Sequence, residues 1–226
     1  INGNDIGLYN NKSMTQIFQD LADWKTKKGV KTVVVTLDDI KAHYIGCDVQ
    51  EQIHNFLKDV YKIWGPMYVL FGGDVNIIPE RYTFWKFETY NNKEYDYYVP
   101  TDLYYTSIDN NWNADGDNLY GEGYCNWSYN SNSRYYDNAD YTTEFYSGRA
   151  SVENGEEATI FVNKVLEYEK LTSVNDKNYV NNTLFMAANK AVNNTKTINT
   201  VNSNIDLIQQ NNINIWKLFD GTNGNQ

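Results

Sequence analysis

The sequence predicts an α/β protein, a three-layer sandwich with a mainly parallel sheet and helices on its faces. Two observations carry that expectation. Amphipathic helical stripes alternate with short apolar runs, which is the pattern of a parallel sheet covered by helices. The run Tyr68-Val69-Leu70-Phe71 then stops at Gly72-Gly73-Asp74. A carboxylate is thereby set at the carboxyl end of a buried strand, the edge on which open α/β sheets build their sites. The chain has 226 residues and is 41% hydrophobic, enough for one sizeable core. Without a linker or internal repeat, residues 1–226 are expected to form a single domain.

Ser13 opens the first helix, expected over 13–28, with Gln16 completing a capping box. Met14, Ile17, Phe18, Leu21 and Trp24 recur at helical spacing as one apolar stripe. Lys25, Lys27 and Lys28 suit the negative helix end, and Gly29 terminates it. Thr32-Val33-Val34-Val35-Thr36 reads as a strand. Asp48 and Glu51 are expected to make a second capping box, opening a helix over 48–64 with Ile53, Phe56, Leu57, Val60 and Ile63 as its stripe and Gly65-Pro66 as its stop. A strand at 67–71 follows. Residues 83–147 break the alternation: rich in Tyr, Asn and Asp, they read as an irregular insertion with one further strand near 99–107. A stretch that long is usually functional or metal-ordered. Asn154 and Glu157 cap a third helix over 154–171. A strand at 183–188, a helix at 195–210 carrying Ile198, Val201, Ile205 and Ile208, and a last strand at 213–219 complete the series.

Composition excludes several functions. A formal charge of −10 opposes nucleic-acid binding, which needs a basic footprint. It suits an acidic secreted protein or one with cation sites. The 20 tyrosines suit broad, half-wet recognition faces. No apolar run approaches a membrane span. The chain begins at Ile1, without Met or a signal peptide, and reads as cut from something longer. Cys47 and Cys125 lack the CxxC spacing of a zinc knuckle; one disulfide and two free thiols both remain open. In a chain this rich in Asn, the sequons at Asn11, Asn126, Asn181 and Asn193 read as chance matches.

The strongest local chemical signal is Asn111-Trp112-Asn113-Ala114-Asp115-Gly116-Asp117-Asn118-Leu119-Tyr120-Gly121-Glu122. Oxygen side chains recur at alternate positions, a glycine follows the third, and Glu122 closes the series. Hard cations need several oxygens converging on one point, and this is the ligand spacing of a calcium loop. Asn111 stands where such loops carry Asp, and Asp109 just upstream can supply that charge. The expected calcium ligands are therefore Asp109, Asn111, Asn113, Asp115, Asp117 and Glu122, against the plainer reading of a polar Asx turn. No flanking helices make this an EF-hand. For nucleophilic catalysis the only histidines are His43 and His54. His54 lies beside apolar Ile53 on the helix from Asp48 and reads as partly buried, while His43 precedes that helix. Neither makes a recognisable dyad with Cys47 or Cys125. GxSxG, HExxH, Walker and dinucleotide fingerprints are absent from the sequence.

Taken in order, several segments resemble the gingipain-type family of cysteine peptidases. They are Leu21 to Thr32, the Asp48 to Trp64 helix, Tyr68 to Arg81 (YVLFGGDVNIIPER) and Pro100-Thr101-Asp102-Leu103-Tyr104-Tyr105. The acidic loop to Glu122, then Phe145 to Val152 and Asn163 to Glu169, complete the set, which spans Ser13 to Phe219. The resemblance implies a caspase-like sandwich with flavodoxin-like topology. It also implies secretion or cell-surface display by a microbe, and proteolysis by a His–Cys dyad. In that family the histidine sits in a His-Gly step and the cysteine ends the next strand, both after the segment matching 213–219. The chain ends at Gln226, so it is expected to be the N-terminal, non-catalytic half of the peptidase unit, inactive alone and meeting protein or peptide substrate together with its C-terminal half. The family's preference for basic residues rests on a carboxylate in the loop after 183–188. Here that loop reads Asn189-Lys190-Ala191-Val192-Asn193-Asn194, so the preference does not carry over. The alternative is a calcium-stabilised, non-catalytic binding module.

Overall fold

Capping set the expected helix starts, and the helices begin there. The computed structural model describes residues 9–65, 67–89, 93–126, 134–170, 182–188, 203, 205 and 214–220. The Ser13 side chain accepts from the Gln16 N–H, and the Gln16 side chain returns the bond, so α1 runs Met14–Lys27. Asp48 accepts from the Glu51 N–H and starts α3 (Val49–Trp64). Asn154 accepts from the Glu157 N–H ahead of α5 (Gly155–Lys170). A short helix α2 (Leu37–His43) lies between the first two, and Thr36 and Asp39 cap it reciprocally.

The Thr32–Thr36 run is not a strand. Val34 and Val35 pack half-buried against the core, while Val33 is exposed. The Thr32 N–H is taken by the Thr26 hydroxyl. High β-propensity marks a segment that fits a pleated surface, but a ladder also needs a partner strand.

The chain divides into two compact units, Ile1–Leu166 and Glu167–Gln226. In the first, β1 (Tyr68–Gly72) pairs in parallel with a strand at Tyr146–Ala150. The region expected to be an irregular insertion carries most of the other strands. β2 (Arg81–Glu88) pairs antiparallel with β3 (Glu94–Thr101), a short helix α4 (Leu103–Thr106) follows, and β4 (Asn110–Asn111) comes next. β5 (Tyr120–Asn126) runs parallel to β2, and β6 (Arg134–Tyr135) closes the four-stranded order β3-β2-β5-β6. β7 (Asn138–Ala139) pairs with β4, and the strand facing β1 is β8. In the second unit β9 (Asn182–Ala188) and β10 (Asn214–Asp220) form a parallel ladder. Of the strands expected in one sheet, 67–71 lies in the parallel ladder of the first unit, and 183–188 and 213–219 form the parallel ladder of the second. The helix expected at 195–210 lies outside the described residues except for Ser203 and Ile205, which are helical.

The core of the first unit gathers α1 (Met14, Ile17, Phe18, Leu21), α3 (Ile53, Leu57), Phe71, Ile77, Ile78, Tyr104, Tyr105 and the α5 residues Ala158 and Val162. Gly72 makes one close contact: a Cβ there would lie 3.1 Å from the Phe18 ring, closer than most side-chain contacts. The glycine lets α1 close onto the end of β1.

Candidate functional site

Two arginines fix the carboxyl end of β1 and its surroundings. Past Gly72 the chain turns through Gly73 and Asp74, whose N–H groups donate to Ala150 and Val152 on the β8 side. Arg149, at the end of β8, grips this turn. Its Nε and one terminal nitrogen bond Asp102 at 2.9 and 2.6 Å, and the other terminal nitrogen donates to the carbonyls of Gly73 at 2.8 Å and Ile78 at 2.7 Å. Burial pushes the Arg149 pKa down, and the Asp102 carboxylate outweighs it, so the guanidinium stays charged. Arg81, at the start of β2, makes a second fork to Asp48 at 2.8 Å through both terminal nitrogens. Its guanidinium carbon lies over the rings of Tyr120 (3.8 Å) and Tyr104 (4.6 Å), which meet edge to face. Burial raises the Asp48 pKa, but the Arg81 bonds and the Glu51 N–H outweigh it, and the carboxyl titrates below the usual range.

The cysteines and histidines are kept apart by their own partners. His54 is buried, with Nδ1 2.6 Å from the Tyr104 carbonyl. Burial holds its pKa below the ordinary value, so the ring is neutral at pH 7. His43 is exposed, with Nδ1 2.7 Å from the Asp39 carbonyl of its own helix. The Cys47 N–H donates to Glu51, and its Sγ lies 3.6 Å from the Tyr120 hydroxyl. The Glu51 carboxylate beside it pushes the thiol above its ordinary range, the opposite of an activated nucleophile. Both cysteines are free thiols. Among the described residues no sulfur is hydrogen-bonded to an imidazole.

The expected calcium ligands fall into three groups. Carboxylate oxygens of Asp115, Asp117 and Glu122 come within 4.8 Å of one another. Asp109 instead gathers within the same distance of Asp140 and Glu144. Asn111 and Asn113 turn their side-chain oxygens onto the N–H groups of Asn113 and Asn118, so they shape the loop. The turn places Gly116 at φ 79° and Asn118 at φ 70°, the left-handed region that Gly and Asn tolerate. Asp137 also belongs to the site and was missed in the sequence. It is buried, and its two oxygens accept from the Ala114 and Glu122 N–H groups at 2.6 and 3.0 Å, closing the loop at both ends. Burial first, then the charges of Asp117, Asp115 and Asp137, raise the Glu122 pKa. That donor set is hard oxygen under mutual repulsion, which a divalent cation relieves, so the residues fit calcium.

A family model described as Peptidase family C25 matches residues 6–226. The chain belongs to peptidase family C25. This is the gingipain family of cysteine peptidases that the ordered segments resemble, and it places protein as the substrate class. No curated protein and no solved structure matches the chain. Arg81, Asp102 and Arg149 all fall within segments that carried the resemblance, yet each serves here as a tether. Among the described residues of this C25 chain, no helix is long and apolar enough to cross a membrane.

Proposed function

We propose that this chain is the N-terminal part of a secreted, gingipain-like cysteine endopeptidase whose thiol and imidazole are supplied by residues beyond these 226. The observation that carries the reading is the family match over 6–226, taken together with the separate environments of its cysteines and histidines. A peptidase thiol needs a base within hydrogen-bond reach and a third group to orient it. Here His54 is buried on a backbone carbonyl, and Cys47 sits beside a carboxylate that disfavours the thiolate. What this chain contributes is support. Arg149 and Asp102 hold the turn at the carboxyl end of β1, and Arg81 and Asp48 hold the start of β2 to α3. We assign the full assembly the caspase-like three-layer sandwich of the family.

Calcium is part of this proposal. Asp115, Asp117 and Glu122 would hold it, with Asp137 fixing the loop that carries them, and its contribution is charge neutralisation rather than chemistry. The test of the peptidase reading is the continuation of the coding sequence. A His-Gly step after a strand, then a Cys at the end of the following strand, is expected, and replacing that Cys by Ser in the whole protein should abolish peptide hydrolysis. A continuation without the pair overturns the reading in favour of a non-catalytic module.

A further inference from the structure

β3 is the outer strand of the order β3-β2-β5-β6, and among the described residues its other side carries no ladder. Every residue from Glu94 to Pro100 is exposed. The Thr89 N–H donates to the Lys93 carbonyl at 2.9 Å, which sets the phase of the hairpin. Antiparallel pairs alternate between bonded and unbonded. Lys93, Tyr95, Tyr97 and Val99 therefore turn their backbone toward β2, and Glu94, Asp96 and Tyr98 turn theirs outward. The Thr83 hydroxyl, bonded to the Val99 carbonyl, agrees with that phase. Pro100 falls in the outward set, where its missing N–H breaks no bond to β2.

Side chains alternate with the same period. Glu94 and Asp96 stand on one face, opposite Glu88 and Lys86 of β2. Tyr95, Tyr97 and Val99 stand on the other, each 47–49% exposed. Lys93 ends the hairpin on that second face. Lys86 reaches Glu94 at 3.5 Å, but both side chains are exposed and such a pair yields readily. The first face therefore keeps an excess of carboxylate, in a chain of formal charge −10.

We propose that the outer edge of β3 accepts an extended, basic segment of a polypeptide partner as an added strand. The backbone of Glu94, Asp96 and Tyr98 supplies the hydrogen bonds of strand addition. Directly opposed charges of unlike sign stabilise a cross-strand pair and like charges destabilise it. A Lys or Arg thus belongs opposite Glu94 and Asp96, with apolar residues between them set against Tyr95 and Tyr97. The same rule disfavours a second copy of this chain, which would bring its own Glu94 and Asp96 to the edge. Binding here needs no catalytic pair, so it stands apart from the peptidase reading.

The probe is a fluorescent peptide alternating lysine and valine, titrated into the 226-residue chain at low salt, with hydrogen exchange read at single residues. Saturable binding is expected, together with protection of the Glu94, Asp96 and Tyr98 amides. The double substitution E94K/D96K should weaken binding by about tenfold, the combined effect of two lost pairs and the repulsion replacing them. If that variant does not fold, N-methylation of alternate peptide residues gives the same answer, because only the set facing β3 should abolish binding. The proposal is overturned by no saturation up to about 1 mM peptide. Equal binding of a glutamate–valine peptide, equal binding by folded E94K/D96K, or protection of those amides by self-association without peptide overturns it too.

Discussion

Replacing Arg149 by Met should destabilise the first unit by about 4 kcal/mol. Methionine keeps the stem that fills the space but removes every donor. The Gly73 and Ile78 carbonyls, both in buried residues, then lose their partner, at roughly 1 kcal/mol each or more. Asp102 loses a bidentate partner. Its side chain is 27% exposed, so water recovers part of that loss and roughly 1–2 kcal/mol remains. Arg149→Lys keeps the charge without the fork and should cost about half as much. The assay is urea unfolding, read as a shift in midpoint at unchanged slope. In a double-mutant cycle with Asp102→Asn, the pair should couple by more than about 1 kcal/mol. A loss below about 1 kcal/mol for Arg149→Met, or additive single effects, would refute the claim that this arginine holds the turn.

Three further outcomes follow from the same geometry. Saturating calcium should raise the melting temperature by about 5–10 °C, on the scale of a ligand at a hundred times its Kd, and Glu122→Gln or Asp137→Asn should remove most of the increment; identical melting in calcium and in chelator sinks the site. His54 has its folded pKa depressed by burial, so its contribution is present above the ordinary value near 6.5 and is lost as pH falls below it. Asp48, also depressed, adds a second loss below about 3.8; His54→Gln should flatten the first step, and an unchanged stability–pH curve contradicts the assignment. Gly121→Ala should cost about 1–3 kcal/mol, because φ there is 59° and a Cβ would lie 3.0 Å from the Trp112 ring; thermal melting of the variant decides it.

The helices were legible because their signals are local. Ser13 and Gln16 form their reciprocal box, and Asp48 and Asn154 accept from the N–H three residues on, while the Glu51 and Glu157 side chains accept from the residues ahead of the caps, Cys47 and Glu153. The Thr36 and Asp39 box is equally local, yet the Val-rich run before it masked the helix. The β2–β3 hairpin was also written locally, in the aromatic run Tyr82 to Phe87 and its partner Tyr95 to Val99, but the acidic and Asn-rich surroundings drew attention to a loop. β8 was hidden for another reason. Tyr146-Ser147-Gly148-Arg149-Ala150 has little β-propensity and is a strand because β1 lies beside it. The site divides in the same way. The convergence of Asp115, Asp117 and Glu122 follows from spacing within one loop. Asp137 reaches that loop from 15 and 23 residues away, and Asp140 and Glu144 draw off Asp109, so neither is visible in a one-dimensional ligand pattern.

On the function proposed above, this chain supports a peptidase site without supplying its nucleophile and base. Hydrolysis of a panel of peptide substrates by the purified chain, with and without an irreversible thiol reagent, tests it most directly. No thiol-sensitive turnover is expected. Turnover that the reagent blocks, and that disappears on Cys47→Ala or Cys125→Ala, would contradict it and restore His43 as a base.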